Sequence, residues 1–274
     1  MNKTDMLKEF NKLKELLSKV CGCSVTTRIK QVKQPRGGYL NPRTMEVTVL
    51  GEGMDALVPG ETTNPGLVGL AVDYLTRFAL GASTEDAFYI SMLGATVIKE
   101  EEKAKKLMAG VKGLDNDSII NAIKLCGFDV CYRVGRNAYK PVDEIIPDLA
   151  SVENIRTMVY RALLFFDSYG SKVLDGFTFE GGYTNVVSAG DGDFTTEDTL
   201  WDFKVTKCRI KKEHTLQLLM YWRMGLHSIH PEFKNIKYLG IFNPRQNTVL
   251  RIAVADIPEE IIKIVDVEII GYKE

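Results

Sequence analysis

Long apolar runs and an excess of charge of one sign are missing from this sequence of 274 residues, and we expect no secretory leader. No apolar run approaches the roughly 18 residues that a membrane-spanning helix requires, so we expect no membrane partner. The first ten residues contain no apolar core of a signal peptide, which favours a cytoplasmic location. The 35 basic and 36 acidic side chains leave a formal net charge of -1, so bulk charge indicates no particular partner. The hydrophobic fraction of 45% is ordinary for a globular protein and excludes a disordered chain.

Cysteine and histidine are too few and too scattered for an obvious metal site. The sequence contains Cys21, Cys23, Cys126, Cys131 and Cys208, with His214, His227 and His230 far from most of them. An odd number of cysteines without a leader is typical of reduced thiols. The C-x-C and C-x4-C pairs leave a zinc site open, although neither has the common C-x2-C spacing.

The first 150 residues are expected to form a mostly helical region. Apolar residues repeat at helical spacing from Met6 to Val20 and again from Leu67 to Lys106, and a shorter helix is expected over Asp117–Leu125. Ser83, three residues before Asp86, is typical of a helix cap. We place a boundary near residue 150, which gives regions 1–150 and 151–274. The first is a candidate for binding DNA, a partner protein or a second copy of the chain.

A basic segment lies within the first region, between Leu16 and Met45, and contains no acidic residue. Its cations are Lys19, Arg28, Lys30, Lys33, Arg36 and Arg43. The turn Pro35–Tyr39 contains two glycines, which allow close approach of the backbone to another group. Cations and bare N–H groups suit phosphate oxygens, so one interpretation is an arm that contacts nucleic acid. The other interpretation, a solvated basic hairpin, stays open.

The second region is expected to form a mixed sheet flanked by helices, which makes the protein α/β, of the α+β kind. Helices are predicted over Ile155–Phe166 and Glu213–Leu226, and a last short helix is expected to open at Pro258. The predicted strands are Tyr183–Ser188, Asp193–Phe194, Leu200–Val205, Ile236–Phe242 and Val249–Val254.

Two aspartates and a lysine in this second region carry the most specific chemical signal. Asp193 and Asp202 fall on neighbouring predicted strands that a short polar loop joins. Asp202 and Lys204 are two residues apart, so they project to the same face of a strand, while Trp201 and Phe203 project to the other. Carboxylates suit Mg²⁺ or Mn²⁺, and a lysine beside them can neutralise charge on a phosphate.

This pattern resembles that of the PD-(D/E)xK nuclease superfamily. Asp193 matches the first acid of the family motif, and Asp202 and Lys204 match its D/E-x-K, although Gly192 stands where the family name has proline. On the next helix, Gln217 and Tyr221 are similar to the Q-x3-Y motif of RecB-type nucleases. The resemblance covers roughly residues 155–255 and implies a restriction-endonuclease-like sheet. It leaves the N-terminal region unmatched.

The resemblance implies a metal-dependent DNA nuclease, of a mobile element or of a DNA repair or defence system. It implies that Asp193, Asp202 and the Phe203 carbonyl bind Mg²⁺ or Mn²⁺, and that Lys204, Gln217 and Tyr221 complete the catalytic set. RecB-type enzymes often carry a further acid or histidine on the helix before the sheet, for which Asp167 and Glu180 are candidates. Four basic residues follow the site directly and either track DNA or form a solvated loop: Lys207, Arg209, Lys211 and Lys212.

Two other interpretations stay open. The first is a nuclease fold that binds DNA or a partner without turnover, although a pure binder has no need of two adjacent carboxylates that repel phosphate. The second is an unrelated α/β enzyme in which D-x-K occurs by chance.

Overall fold

The computed structural model describes residues 22–51 and 56–273. The helix predicted from Met6 to Val20 and the thiol of Cys21 lie outside these ranges. Within the described part, the chain is a mixture of helices and a mixed sheet, so the predicted α/β, α+β class is confirmed. No helix in these two ranges is both long enough and apolar enough to cross a membrane.

The part of the chain before residue 150 is mainly helical, as expected. It begins with a short strand and a helix, β1 (Cys23–Ser24) and α1 (Val25–Gln31), and with strand β2 (Glu46–Val49). The helices that follow are α2 (Pro65–Ala79), α3 (Thr84–Ala87), α4 (Tyr89–Ile98), α5 (Glu101–Ala109), α6 (Asn116–Cys126) and α7 (Asp129–Arg133). The predicted cap is confirmed, because the Ser83 hydroxyl accepts the Asp86 N–H at 3.0 Å.

The part after residue 150 alternates between helices and strands. Helix α8 (Leu149–Tyr169) precedes β3 (Leu174–Thr178), β4 (Val187–Ala189), β5 (Asp191–Thr195) and β6 (Thr199–Phe203). Helix α9 (Lys212–Leu226) is followed by β7 (Tyr238–Asn243), β8 (Thr248–Ala253) and α10 (Glu259–Ile264), which continues as a π-helix over Val265–Ile270.

The main sheet has six strands in the order β2-β8-β7-β6-β5-β3. Neighbouring strands are antiparallel, except that β6 and β7 are parallel. A parallel pair needs a crossover connection, and α9 lies within the one that joins these two strands. Strand β2, which precedes residue 150, pairs with β8 at one edge. The two regions therefore share one sheet, while the boundary near residue 150 stays a prediction.

Alternation along β6 assigns its side chains to two separate cores. Leu200 is buried against α9, whereas Trp201 is buried against α8 together with Phe194. The Phe165 ring of α8 stacks on Phe242 with centroids 4.2 Å apart and meets Trp201 edge-on at 4.8 Å. The apolar face of β6 thus packs on α8 as the spacing predicts, and Asp202 lies on the face that α9 covers.

The segment before β5 differs from the sequence-based expectation. Strand β3 was not predicted, and the strand expected over Tyr183–Ser188 is reduced to Val187–Ala189. The Thr184 hydroxyl accepts the N–H groups of Val186 and Val187, each at 3.0 Å, and so holds this stretch in a turn. A side-chain hydrogen bond to nearby backbone competes with strand pairing here.

Candidate functional site

The two aspartates lie at the adjoining ends of β5 and β6. These strands pair Phe194 with Trp201, and the same register continued by one residue places Asp193 opposite Asp202. The Phe203 N–H donates to Asp193 Oδ2 at 2.7 Å instead of continuing the ladder. Asp202 is 1% exposed, and Asp193 is partly exposed. The sheet therefore fixes two carboxylates side by side, as the nine-residue spacing predicts.

A chain of hydrogen bonds connects Asp202 to helix α9. Lys204 Nζ lies 2.8 Å from Asp202 Oδ1 and donates to Gln217 Oε1 at 3.3 Å. Gln217 Nε2 in turn donates to the Tyr221 hydroxyl at 2.8 Å. Because Gln217 and Tyr221 are four residues apart on α9, they share one face of that helix. The structure thus brings together four of the residues that the sequence singles out.

Burial and charge shift the acidities of this cluster. Burial and the nearby charge of Asp202 raise the pKa of Asp193 to about 7. Burial alone would lower the pKa of Lys204, but the carboxylates of Asp202 and Asp193 outweigh it and raise this pKa. Lys204 therefore remains an ammonium at neutral pH. Burial also raises the pKa of Tyr221, so its hydroxyl keeps its proton.

One buried acceptor in the cluster has no hydrogen-bond partner. Asp202 Oδ2 is inaccessible to solvent and accepts no hydrogen bond, while Oδ1 is held by Lys204. Leaving a buried charged oxygen unsatisfied costs free energy, which a divalent cation would recover. The described residues contain no group of three or more His, Cys, Asp or Glu side chains suited to a metal. Two carboxylates with backbone, water and phosphate oxygens fit Mg²⁺, which seldom uses an all-protein cage.

Asp193 opens onto a cavity of about 310 Å³ that helix α2 covers. Asp73 of α2 lines this cavity together with Phe203 and Val205, and its charge helps to raise the pKa of Asp193. Asp73 also pairs with Arg77 at 3.1 Å. Sequence analysis missed Asp73, although Asp73 and Arg77 are the only charged residues in α2.

The upstream acids proposed from the sequence lie elsewhere. Asp167 of α8 lines a separate cavity with Arg77 and Lys172. Glu180 lies in the turn after β3, where its carbonyl accepts the Ile229 N–H. Neither residue lines the cavity at Asp193, whereas Asp73 does.

Gly192 has a structural reason for standing before Asp193. It pairs with Phe177 of β3, and a Cβ at this position would lie 2.4 Å from the Phe177 ring. No side chain fits there without moving a buried aromatic ring. A proline at position 192 would meet the same ring.

The predicted nucleic-acid-binding residues are dispersed. Arg28 donates to the carbonyls of Glu268 and Ile269, so its guanidinium holds the C-terminal π-helix. Lys207 pairs with the buried Glu61 at 3.4 Å. Arg36 lines an open cavity near the start of α9. The remaining three, Lys30, Lys33 and Arg209, are exposed.

The described thiols are free, and most are buried. Cys23, Cys126 and Cys131 are buried, whereas Cys208 is exposed. Cys23 Sγ donates to the Val186 carbonyl at 3.5 Å. Burial raises the pKa of Cys126 well above its usual value, which makes that thiol a poor nucleophile.

Comparison with known proteins yields no relative. No family model matches the chain, no curated protein matches it and no solved structure matches it.

Proposed function

We propose that this protein is a Mg²⁺- or Mn²⁺-dependent nuclease that hydrolyses phosphodiester bonds in DNA, of the RecB type within the PD-(D/E)xK superfamily. The observation that carries the proposal is the hydrogen-bonded series from Asp202 through Lys204 and Gln217 to Tyr221, beside Asp193. Asp193 matches the first acid of the family motif, Asp202 and Lys204 match its D-x-K, and Gln217 and Tyr221 match the Q-x3-Y motif. A chance D-x-K has no reason to meet a Q-x3-Y helix at hydrogen-bond distance.

Asp193 and Asp202 would hold the metal, with the Phe203 carbonyl as a further oxygen ligand. The unsatisfied Asp202 Oδ2 and the raised pKa of Asp193 both indicate a place where positive charge is favourable. When bound, the cation supplies positive charge that polarises a phosphoryl oxygen and acidifies water.

The other side chains of the cluster position Lys204 and neutralise charge on the phosphate. Lys204 spends two of its three N–H groups on Asp202 and Gln217, which leaves one for a water or a phosphate oxygen. Its ammonium offsets negative charge that builds on the phosphate during attack. Gln217 presents its carbonyl to Lys204 because its amide nitrogen donates to Tyr221. Gln217 and Tyr221 are therefore positioning residues for Lys204.

The proposal is tested by cleavage of DNA in the presence of Mn²⁺. Linear duplex, circular duplex and single-stranded DNA are incubated with the wild type and with Asp202→Asn, which keeps the shape of the side chain but removes its charge. We expect the wild type to cut at least one substrate, EDTA to stop the reaction, and Asp202→Asn to abolish it. Glu102→Gln, a change at an exposed carboxylate on α5, serves as the matched control and should cut normally. A wild type that binds DNA but cuts none with Mg²⁺ or Mn²⁺ would favour the non-catalytic module.

A further inference from the structure

A second cavity lies at the N-terminus of helix α9 and is lined by cations. Its volume is about 550 Å³. The lining residues are Arg36, Gly37, Asn41, Pro42, Arg43, Ile210 and Lys212. Three of these seven are basic and none is acidic. A cavity with this lining favours an anion.

The turn before β2 is shaped to bring these cations together. The Gly38 N–H donates to the Pro35 carbonyl at 3.0 Å, and Gly37, at φ +92°, lies between them. A positive φ at this place suits a type II turn, in which Arg36 occupies the corner. A Cβ on Gly38 would lie 2.6 Å from Lys212 Cβ. Glycine at 38 therefore allows the turn to lie directly on the start of α9.

Two further contacts hold the cavity in place. The Thr215 hydroxyl of α9 donates to the Leu40 carbonyl at 2.6 Å. The Asn41 side chain accepts the Arg43 N–H at 3.1 Å, which leaves its amide group as an additional donor. The N-terminal end of α9 also contributes the positive end of a helix dipole. The cations thus stand on a fixed frame rather than on a loose arm.

The cavity lies close to the candidate active site along the same helix. Lys212 precedes Gln217 by five residues, which corresponds to about 7.5 Å along the axis of α9. A strand of DNA carries one phosphate per roughly 3.4 Å of duplex axis. The two positions are thus within a few phosphates of each other along a bound strand.

We propose that this cavity binds the phosphodiester backbone of the substrate strand a few phosphates from the bond that is cut. The proposal rests on the proposed nuclease function for the position of the cut. It assigns the contact to Arg36, Arg43 and Lys212, whereas Arg28 is engaged by the C-terminal π-helix.

The test measures binding without metal, by fluorescence anisotropy of a labelled 20-nucleotide DNA in EDTA over a range of KCl concentrations. Arg36→Gln/Arg43→Gln/Lys212→Gln should weaken binding at least tenfold. It should also reduce the slope of log affinity against log salt by about 2, since each phosphate contact on a single strand contributes about 0.7. The matched control is Lys106→Gln/Lys140→Gln/Lys234→Gln, which removes three exposed lysines outside the cavity and should keep the wild-type slope.

A pair of glycine variants tests the shape of the cavity separately from its charge. Gly37 and Gly38 both have φ +92°, which an L residue such as alanine disfavours at either position. A Cβ at Gly37 would come no closer than 3.4 Å to its nearest neighbour, the Asn41 amide, whereas a Cβ at Gly38 would collide with Lys212 Cβ at 2.6 Å. Gly38→Ala should therefore weaken DNA binding more than Gly37→Ala, and equal effects would contradict the proposed frame.

Further measurements identify the ligand of the cavity and distinguish failure of the cavity proposal from failure of the nuclease proposal. An RNA of the same sequence shows whether the cavity recognises either backbone, and equal competition by polyglutamate would overturn phosphodiester recognition. If the wild type cuts DNA with Mn²⁺ while the cavity triple variant binds with the wild-type slope, the cavity proposal is wrong and the nuclease proposal stands. If the wild type cuts nothing but the triple variant loses affinity, the cavity proposal stands and the nuclease proposal fails.

Discussion

At the scale of single residues, the main electrostatic feature of the site is the free-energy cost of keeping the carboxylates of Asp193 and Asp202 next to each other. Burial and like charge both disfavour the ionised form of Asp193, so its pKa rises to about 7. In an unfolded chain the same carboxyl titrates near 4. The folded protein without metal therefore prefers Asp193 protonated, and it loses stability as pH forces that carboxyl to ionise.

This difference predicts a pH dependence of stability in EDTA. Because the pKa of Asp193 is higher in the folded than in the unfolded protein, the folded protein binds this proton more tightly. The resulting stability is fully present below about pH 4 and is lost as the pH rises through about 7. Asp193→Asn removes the titration, so the stability of the wild type relative to this variant should fall between pH 4 and pH 8, by on the order of 2 kcal/mol. Urea unfolding at several pH values measures it. Curves that stay parallel across this range would show that Asp193 does not titrate as described.

At the scale of elements, the hairpin of β5 and β6 and the helix α9 bring the chemistry together. Strand alternation and the spacing between Asp193 and Asp202 suffice to predict that the two aspartates lie on neighbouring strands and that Asp202 and Lys204 share one face of β6. The helix α9 is predicted separately. Strand β3 escapes prediction because it is short and contains a glycine at φ +60°, which weakens the strand pattern. Its pairing nevertheless decides which residue can precede Asp193.

The contact between β3 and β5 predicts the effect of a single methyl group. Gly192→Ala places a Cβ against the buried Phe177 ring, so we expect a loss of about 1–3 kcal/mol in the free energy of unfolding. Gly69→Ala is the control, since its Cβ would lie 3.8 Å from Val205 and alanine favours a helix. Denaturant unfolding compares the two. An unchanged stability in Gly192→Ala would mean that β3 packs more loosely on β5 than the structure indicates.

At the scale of the whole molecule, the helical region is fastened to the sheet near the site. The buried side chain of Glu61 pairs at 2.9 Å with Arg245, which lies in the turn between β7 and β8. The same carboxylate accepts a hydrogen bond from the Asn154 amide of α8. Asp148 accepts from the backbone of both Thr62 and Thr63 at 3.0 Å. These contacts fix the segment that leads into α2, and α2 covers the cavity at Asp193.

The part of the site that sequence could not predict depends on this long-range packing. Spacing places Asp202, Lys204, Gln217 and Tyr221 on neighbouring elements, because each pair is close in the chain. Asp73 reaches the cavity only through the tertiary placement of α2, and no local pattern encodes that placement. The basic segment could likewise be recognised from composition alone. Only the structure shows that Arg28 holds the C-terminal π-helix while Arg36 lines the cationic cavity.

The most direct test of the central claim is the cleavage rate of Lys204→Ala with Mn²⁺ at saturating DNA. Lys204 is not a proposed metal ligand, so this variant should still bind Mn²⁺ and DNA. The rate should fall by roughly two to four orders of magnitude, because a positioned group that offsets charge on the phosphate is lost. Lys204→Arg should not restore it, since a planar guanidinium cannot occupy the position between Asp202 and Gln217, whereas Lys140→Ala, at an exposed lysine, should cut normally. Cleavage by Lys204→Ala at the wild-type rate would contradict the account.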